Sequence, residues 1–165
     1  MFLWSPKPKR KHTGKKIKNT NEILWKSAEI SAFSRIAMAF DRKELQDLTQ
    51  RVIGCAREVH RALGPGLLES TYQECLAREF SLANIAFSHQ KAFPIRYKGV
   101  RLNCGYKVDF LVEDRLLLEL KAVSTILKLH EAQLMTYMKL SCIPVGLLIN
   151  FNVILLKNGV RQLTL

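Results

Sequence analysis

Three ionisable residues set in two short apolar runs are the part of this sequence best suited to chemistry. "GYKVDFLV" holds Asp109 among Val108, Phe110, Leu111 and Val112, and "LLLELKAV" holds Glu119 and Lys121 among leucines. Runs this short and dense read as buried β-strands, which should exclude charge. Side chains alternate along a strand, so Glu119 and Lys121 share one face while Leu118, Leu120 and Ala122 take the other. Whether Asp109 joins them depends on the connection between the strands. A strict two-residue turn at Glu113-Asp114 sets Asp109 opposite Leu118 and leaves Glu119 facing away. A three-residue connection or a bulge moves the register by one and sets Asp109 across from Glu119.

Two carboxylates about 4 Å apart repel by roughly 4 kcal/mol at an effective dielectric near 20, so facing acids need a cation. Lys121 offsets one charge. A divalent ion offsets both, and Asp plus Glu with a main-chain carbonyl and waters is the hard-oxygen set that suits Mg²⁺ or Mn²⁺. Such an ion activates water and stabilises charge on a phosphate, while a neighbouring lysine orients that water or neutralises the attacked group. That is the chemistry of phosphodiester hydrolysis. The plainer reading is a half-exposed Glu119–Lys121 pair, usually worth under about 1 kcal/mol in solvent.

The elements that must position these residues follow from periodicity. In "DRKELQDLTQRVIGCAREVHRALGPG", Asp41 and Glu44 fit a capping box, and Leu45, Leu48, Val52, Ala56, Val59 and Leu63 recur at helical spacing until Gly64, Pro65 and Gly66 end the helix. A second helix is expected from about Leu68 to Asn84, burying Leu68, Tyr72, Cys75, Leu76 and Phe80. The period then becomes alternating: "FSHQKAFPIRY", "VRLNCGYKVDFLV" and "RLLLELKAV" read as strands joined at Lys98-Gly99 and Glu113-Asp114. "ILKLHEAQLMTYMKL" returns to helical spacing through Ile126, Leu129, Leu134, Tyr137 and Met138, and "VGLLINF" and "VILLKNGVRQLTL" supply two or three final strands. The order predicts an α/β fold, a mixed β-sheet flanked by helices.

Charge is unevenly placed. Of the net +12, residues 1–37 hold nine Lys/Arg against two Glu, and the rest holds 17 against 12. We therefore expect a basic arm over 1–37 and a folded domain over 38–165. "PKPKRKHTGKKIK" is too charged to pack, and fits a nucleic-acid-binding tail, a nuclear-targeting signal, a solvated extension or an upstream start ahead of Met38. Ile23 to Phe40 has enough apolar residues for a short helix. Cys55, Cys75, Cys104 and Cys142 are far apart and lack zinc spacing, which points to reduced thiols in a cytoplasmic protein. Apolar "MFLW" precedes the charges, the reverse of a secretory signal. "IPVGLLINFNVILL", broken by Asn150 and Asn152, falls short of the roughly 20 residues of a membrane span, so no membrane partner is expected.

Asp109, nine intervening residues and then Glu119-Leu120-Lys121 resemble the D…(D/E)xK signature of the PD-(D/E)XK nuclease superfamily. "GPGLLESTY" matches the pattern that names the GxxExxY proteins through Gly66, Glu69 and Tyr72, and "YKG", "LELKAV", "HEAQLMTYMKL" and "GLLINFNV" extend the likeness over about residues 45–163. The resemblance implies a restriction-endonuclease-like core and a Mg²⁺- or Mn²⁺-dependent nuclease. It maps metal ligands to Asp109, Glu119 and the Leu120 carbonyl, with Glu69 assisting from a helix, and catalysis to Asp109, Glu119 and Lys121. Gln133 and Tyr137 resemble the substrate-binding QxxxY element of RecB-like exonucleases. The implied partner is nucleic acid, DNA ahead of RNA; because the domain outside the arm is only mildly basic, a homodimer or a partner protein is one way to complete the groove. Val108 stands where the superfamily name has proline. The alternative is a nucleic-acid-binding or regulatory protein that keeps the fold without turnover. His60 and His130 lack partners at ligand spacing and read as structural or exposed, and Asn150 reads as tying down a turn.

Overall fold

The computed structural model describes residues 42–165. The basic arm, the Ile23 to Phe40 segment and Asp41 lie outside them, as do the side chains of Arg96, Asn103 and Cys104. Helix α1 (Arg42–Leu63) buries Leu45, Leu48, Val52, Ala56 and Val59, the face its spacing predicts. It stops at Gly64, whose φ of +67° is a left-handed conformation that costs glycine little, and whose N–H bonds His60 O at 2.8 Å. Helix α2 (Glu69–Leu82) buries Tyr72, Leu76 and Phe80. Cys75 is only partly buried, and Leu68, expected in the core, is 75% exposed. Leu68 caps α2 in extended backbone and so does not share its helical face. Leu63, the last residue of α1, is also exposed.

The sheet runs β1 (Phe87–Tyr97), β2 (Val100–Val112), β3 (Leu116–Lys121), β4 (Val145–Asn150) and β5 (Val160–Thr164) in that spatial order. All neighbours are antiparallel except β3 and β4, which are parallel and joined through helix α3 (Lys128–Ser141). β5 is the only strand that "VILLKNGVRQLTL" contributes. Ile154 and Leu155 are exposed, and a single 3₁₀ turn follows at Leu156–Asn158. One sheet face packs Phe110, Val112, Leu118, Leu120, Leu147 and Ile149 under α1 and α2. The other packs Leu111, Leu117 and Leu148 under Leu134 and Met138 of α3. Leu129, one of the residues at helical spacing, is 73% exposed in the first turn of α3. Gly146 explains how α3 comes so close: a Cβ there would sit 2.7 Å from Met138 Sδ. This is an α/β fold with a mixed sheet between helices, as expected.

The β2–β3 connection decides the site. Phe110 pairs with Leu118, Leu111 with Leu117 and Val112 with Leu116, leaving Glu113, Asp114 and Arg115 as a three-residue loop closed by Arg115 N–H to Val112 O at 3.0 Å. This is the three-residue register, and it brings Asp109, just before the last pair on β2, beside Glu119, just after it on β3.

Candidate active site

Glu69 enters the site from the start of α2, and the loop before it is held by a tyrosine. The Tyr72 hydroxyl donates to Gly64 O at 2.7 Å and accepts the Leu67 N–H at 3.2 Å, while its ring stacks on Phe151 at 4.4 Å. Gly66 supplies a φ of +101° between them. The Gly66, Glu69, Tyr72 spacing thus has a mechanical meaning: a turn, a side chain directed at the sheet, and a clamp on the turn. Glu69 Oε1 lies 3.9 Å from Lys121 Nζ. Burial raises its pKa above the ordinary value, opposed by attraction to Lys121 and reinforced by repulsion from Asp109.

Asp109 sits where β2 loses its regular alternation. Val108 packs under α3 and Phe110 under α1 and α2, although residues two apart should share a face. At the same rung of β1, between the His89–Phe110 and Lys91–Val108 pairs, Gln90 has a φ of 51°. Irregularities of this kind re-aim side chains. Both oxygens of Asp109 are held: Oδ1 accepts Gln73 Nε2 at 2.8 Å and Oδ2 accepts the Leu120 N–H at 2.7 Å. Gln73 is itself fixed, its Oε1 meeting Gln90 Nε2 at 3.1 Å and His89 Nε2 at 3.4 Å. His89 stacks on Phe110 at 4.8 Å. Burial raises the Asp109 pKa, against the lowering effects of the Leu120 N–H, Lys121 and His89.

Glu119 and Lys121 form an ion pair at 2.9 Å with side chains only 6% and 13% exposed, so the solvent-exposed pair of the plainer reading does not describe them. Burial, with repulsion from Asp109, pushes Glu119 up to about 7 despite the Lys121 hydrogen bond. Burial opposes the Lys121 charge, but Glu119, Glu69 and Asp109 outweigh it and hold the ammonium above its ordinary pKa. Three carboxylates therefore face one lysine. Glu119 Oε2 is buried and has no hydrogen-bond partner among the described residues. An orphaned buried carboxylate oxygen is costly unless something positive meets it. The described residues hold no cluster of three or more His, Cys, Asp or Glu at metal-binding spacing. The donors that fit a hard divalent ion are instead Asp109 and Glu119 with main-chain oxygen, a set short of protein ligands that leaves room for waters and phosphate.

The sequence matches the profile described as the PD-(D/E)XK nuclease superfamily over residues 46–163. The chain belongs to that superfamily. Neither the curated proteins nor the solved structures yield a match. For a PD-(D/E)XK chain, Asp109, Glu119 and Lys121 stand together as the sequence suggests, with Glu69 within electrostatic reach. Gln133 and Tyr137 do pair, Nε2 to hydroxyl at 2.7 Å, and the Tyr137 ring stacks on Tyr106 at 4.5 Å. Among the described residues no hydrogen bond or ion pair joins them to the carboxylates.

Gln73, His89 and Gln90 escaped the sequence reading. Only Gln73 had a signal, its place four residues after Glu69 on the same helical face. His130 Nδ1 accepts the Leu127 N–H at 3.2 Å, starting α3. His60 meets Val153 O at 2.8 Å. Asn150 ties the ends of β3 and β4 together: it accepts the Val123 N–H at 3.1 Å and donates to Val123 O at 2.7 Å.

Proposed function

We propose that this chain is a metal-dependent nuclease of the GxxExxY type that hydrolyses phosphodiester bonds in nucleic acid, DNA ahead of RNA. The observation that carries the reading is the unpartnered Glu119 Oε2, buried beside Asp109 with Lys121 as the cation at hand. Asp109, Glu119 and the Leu120 carbonyl are the proposed ligands of Mg²⁺ or Mn²⁺, and Glu69 assists. The bound ion would lower the pKa of a water and offset charge on the phosphate.

The remaining work falls to side chains. The Gln73 amide and the Leu120 N–H hold the Asp109 carboxylate in one orientation, which limits reorganisation when substrate arrives. Glu119 must be ionised to act, and its raised pKa makes that depend on a nearby positive charge. Lys121, charged at neutral pH and tethered to Glu119, can direct an ammonium proton toward the attacking water or the phosphoryl oxygen as negative charge develops there. Gln133 and Tyr137 are proposed as substrate contacts from the QxxxY likeness alone.

The test is cleavage of single-stranded, duplex and flapped DNA and RNA with Mg²⁺ or Mn²⁺, beside an Asp109→Asn control. Melting of both proteins with and without Mn²⁺ supplies a second readout. Expected are metal-dependent cleavage and a Mn²⁺-induced rise in Tm for the parent, both lost in the variant. Binding of nucleic acid with neither effect would instead identify a non-catalytic binding protein on this fold.

A further inference from the structure

The cationic charge of the described domain is concentrated on one structural unit. Residues 42–165 contain 17 Lys/Arg and 11 Asp/Glu, yet between Lys91 and Lys107 there are five basic residues and no acid. Everything else described is then close to neutral, at 12 against 11. That stretch is the outer part of the β1–β2 hairpin. β3 pairs with β2 only at Phe110–Val112, so residues before Asp109 form a two-stranded ribbon extending past the rest of the sheet to a tip at Lys98-Gly99. Lys91, Lys98, Arg101 and Lys107 are exposed, and among the described residues none of them is ion-paired.

We infer that this ribbon grips the phosphate backbone of a nucleic-acid duplex and leads it to the carboxylate site. The inference rests on the nuclease reading for its second half only. Lys107 stands two residues from Asp109, so the cations begin beside the site. At about 3.3 Å per residue the ribbon reaches about 30 Å beyond it, close to nine base-pair steps of 3.4 Å. A two-stranded ribbon is also an element that the major groove of B-DNA admits.

The aromatic residues favour a duplex over a single strand. Single-strand binding uses a row of exposed rings on which bases stack. Here Phe93 stacks on Tyr106 at 5.3 Å and Tyr106 on Tyr137, all packed toward α3. The ribbon's one freely exposed ring is Tyr97, 61% exposed at the tip with Lys98 Nζ 5.3 Å above it. Lysines on an edge strand also discourage sheet-to-sheet aggregation, but that role asks nothing of Arg101 and Lys107 on β2.

The experiment measures binding of the full chain in EDTA, by anisotropy, to a labelled 24-base-pair duplex and to one of its strands over a range of salt. Lys91, Lys98, Arg101 and Lys107 are all replaced by Gln, and a second variant carries only Lys98→Glu at the exposed tip, where folding is not at risk. We expect the fourfold variant to bind duplex at least tenfold more weakly and to lose about three and a half units of the log–log salt slope, at roughly 0.9 per phosphate contact. Its Tm and its kcat at saturating substrate should be unchanged, and Lys98→Glu should weaken binding severalfold. An unchanged slope in both variants overturns the inference, as does a larger loss on the single strand or on poly-glutamate, the latter indicating an acidic protein partner. Ribbon-dependent binding without cleavage in any metal sinks the nuclease reading and leaves the ribbon standing. Cleavage with the same KM in the fourfold variant does the opposite.

Discussion

Strand β2 carries two kinds of charge, and its halves treat them in opposite ways. From Val100 to Lys107 the strand is mostly exposed, and its cations keep their water. From Val108 to Val112 it is nearly all buried, and its one charge, Asp109, is fixed by a helix amide and a neighbouring strand's N–H. An exposed charge is cheap to keep and adds little to stability. A buried one distorts everything near it: Asp109, Glu119 and Glu69 all have raised pKa values, and Lys121 is drawn into the cluster. The inner half thus carries an electrostatic cost in the arrangement we propose takes a metal and a phosphate, and the outer half, which we infer holds a polyanion, carries its charge without strain.

The largest effect should come from removing the one cation of the inner half. Lys121→Met keeps side-chain volume and should lower cleavage by at least about a hundredfold, as for loss of a group that stabilises transition-state charge. Circular dichroism should show the fold retained, because the Glu119 carboxyl can take up a proton. Substantial cleavage in that variant would remove Lys121 from the chemistry.

Gln73→Leu should act next, at about tenfold on cleavage, with more metal needed for half-maximal activity, as for loss of a group that orients a ligand. A normal metal requirement would make Gln73 merely a filler under β2.

Stability sharpens the contrast further. Glu119→Gln should raise the Tm of the metal-free protein by several °C, since about 1 kcal/mol shifts a domain of this size by 2–8 °C and the variant removes repulsion from Asp109. It should also abolish the rise with Mn²⁺. A lower Tm in both conditions would mean that the Lys121 ion pair outweighs the repulsion.

The pH dependence has a definite sign. Glu119 titrates at about 7 in the folded protein against 4.5 ordinarily, so between these values the native state holds a proton that the unfolded chain releases. Stability is then greatest near pH 5 and falls as pH rises through 7, with Asp109 and Glu69 acting in the same direction. The metal-free Tm should decline from pH 5 to 8, and Mn²⁺ should reduce that decline. A Tm rising with pH would contradict the burial of Glu119. The smallest effect belongs to the exposed surface: breaking the Glu44–Arg115 pair with Glu44→Gln should cost under about 1 kcal/mol.

Much of this molecule is legible in its sequence because the relevant forces act locally. Alternation marks β1 and β2 over the runs "FSHQKAFPIRY" and "VRLNCGYKVDFLV", and helical spacing marks α1. The ExK run and the Gly66, Glu69, Tyr72 spacing indicate the acids and the lysine of the site. Periodicity misjudged Leu68 because it extends a helical face past the helix start, where the backbone is extended. Reading charge chiefly as an N-terminal feature obscured the acid-free stretch from Lys91 to Lys107, although it too is visible in the residues.

What the sequence by itself determined is which residues are available: a carboxylate on each of two adjacent strands, a lysine two places on, and an acid at the head of a helix. It left their register as a choice between two hairpins. The tertiary structure made that choice with a three-residue loop, because Phe110, Val112, Leu118 and Leu120 share a face under α1 and α2 when Phe110 pairs with Leu118, as it does, and not in the two-residue register. It also brought Gln73 to Asp109 across 36 residues and buried Glu119 enough to move its pKa. Such contacts depend on how the helices close over the sheet, and desolvation depends on the whole set of neighbours, so neither can be read from residues adjacent in the chain.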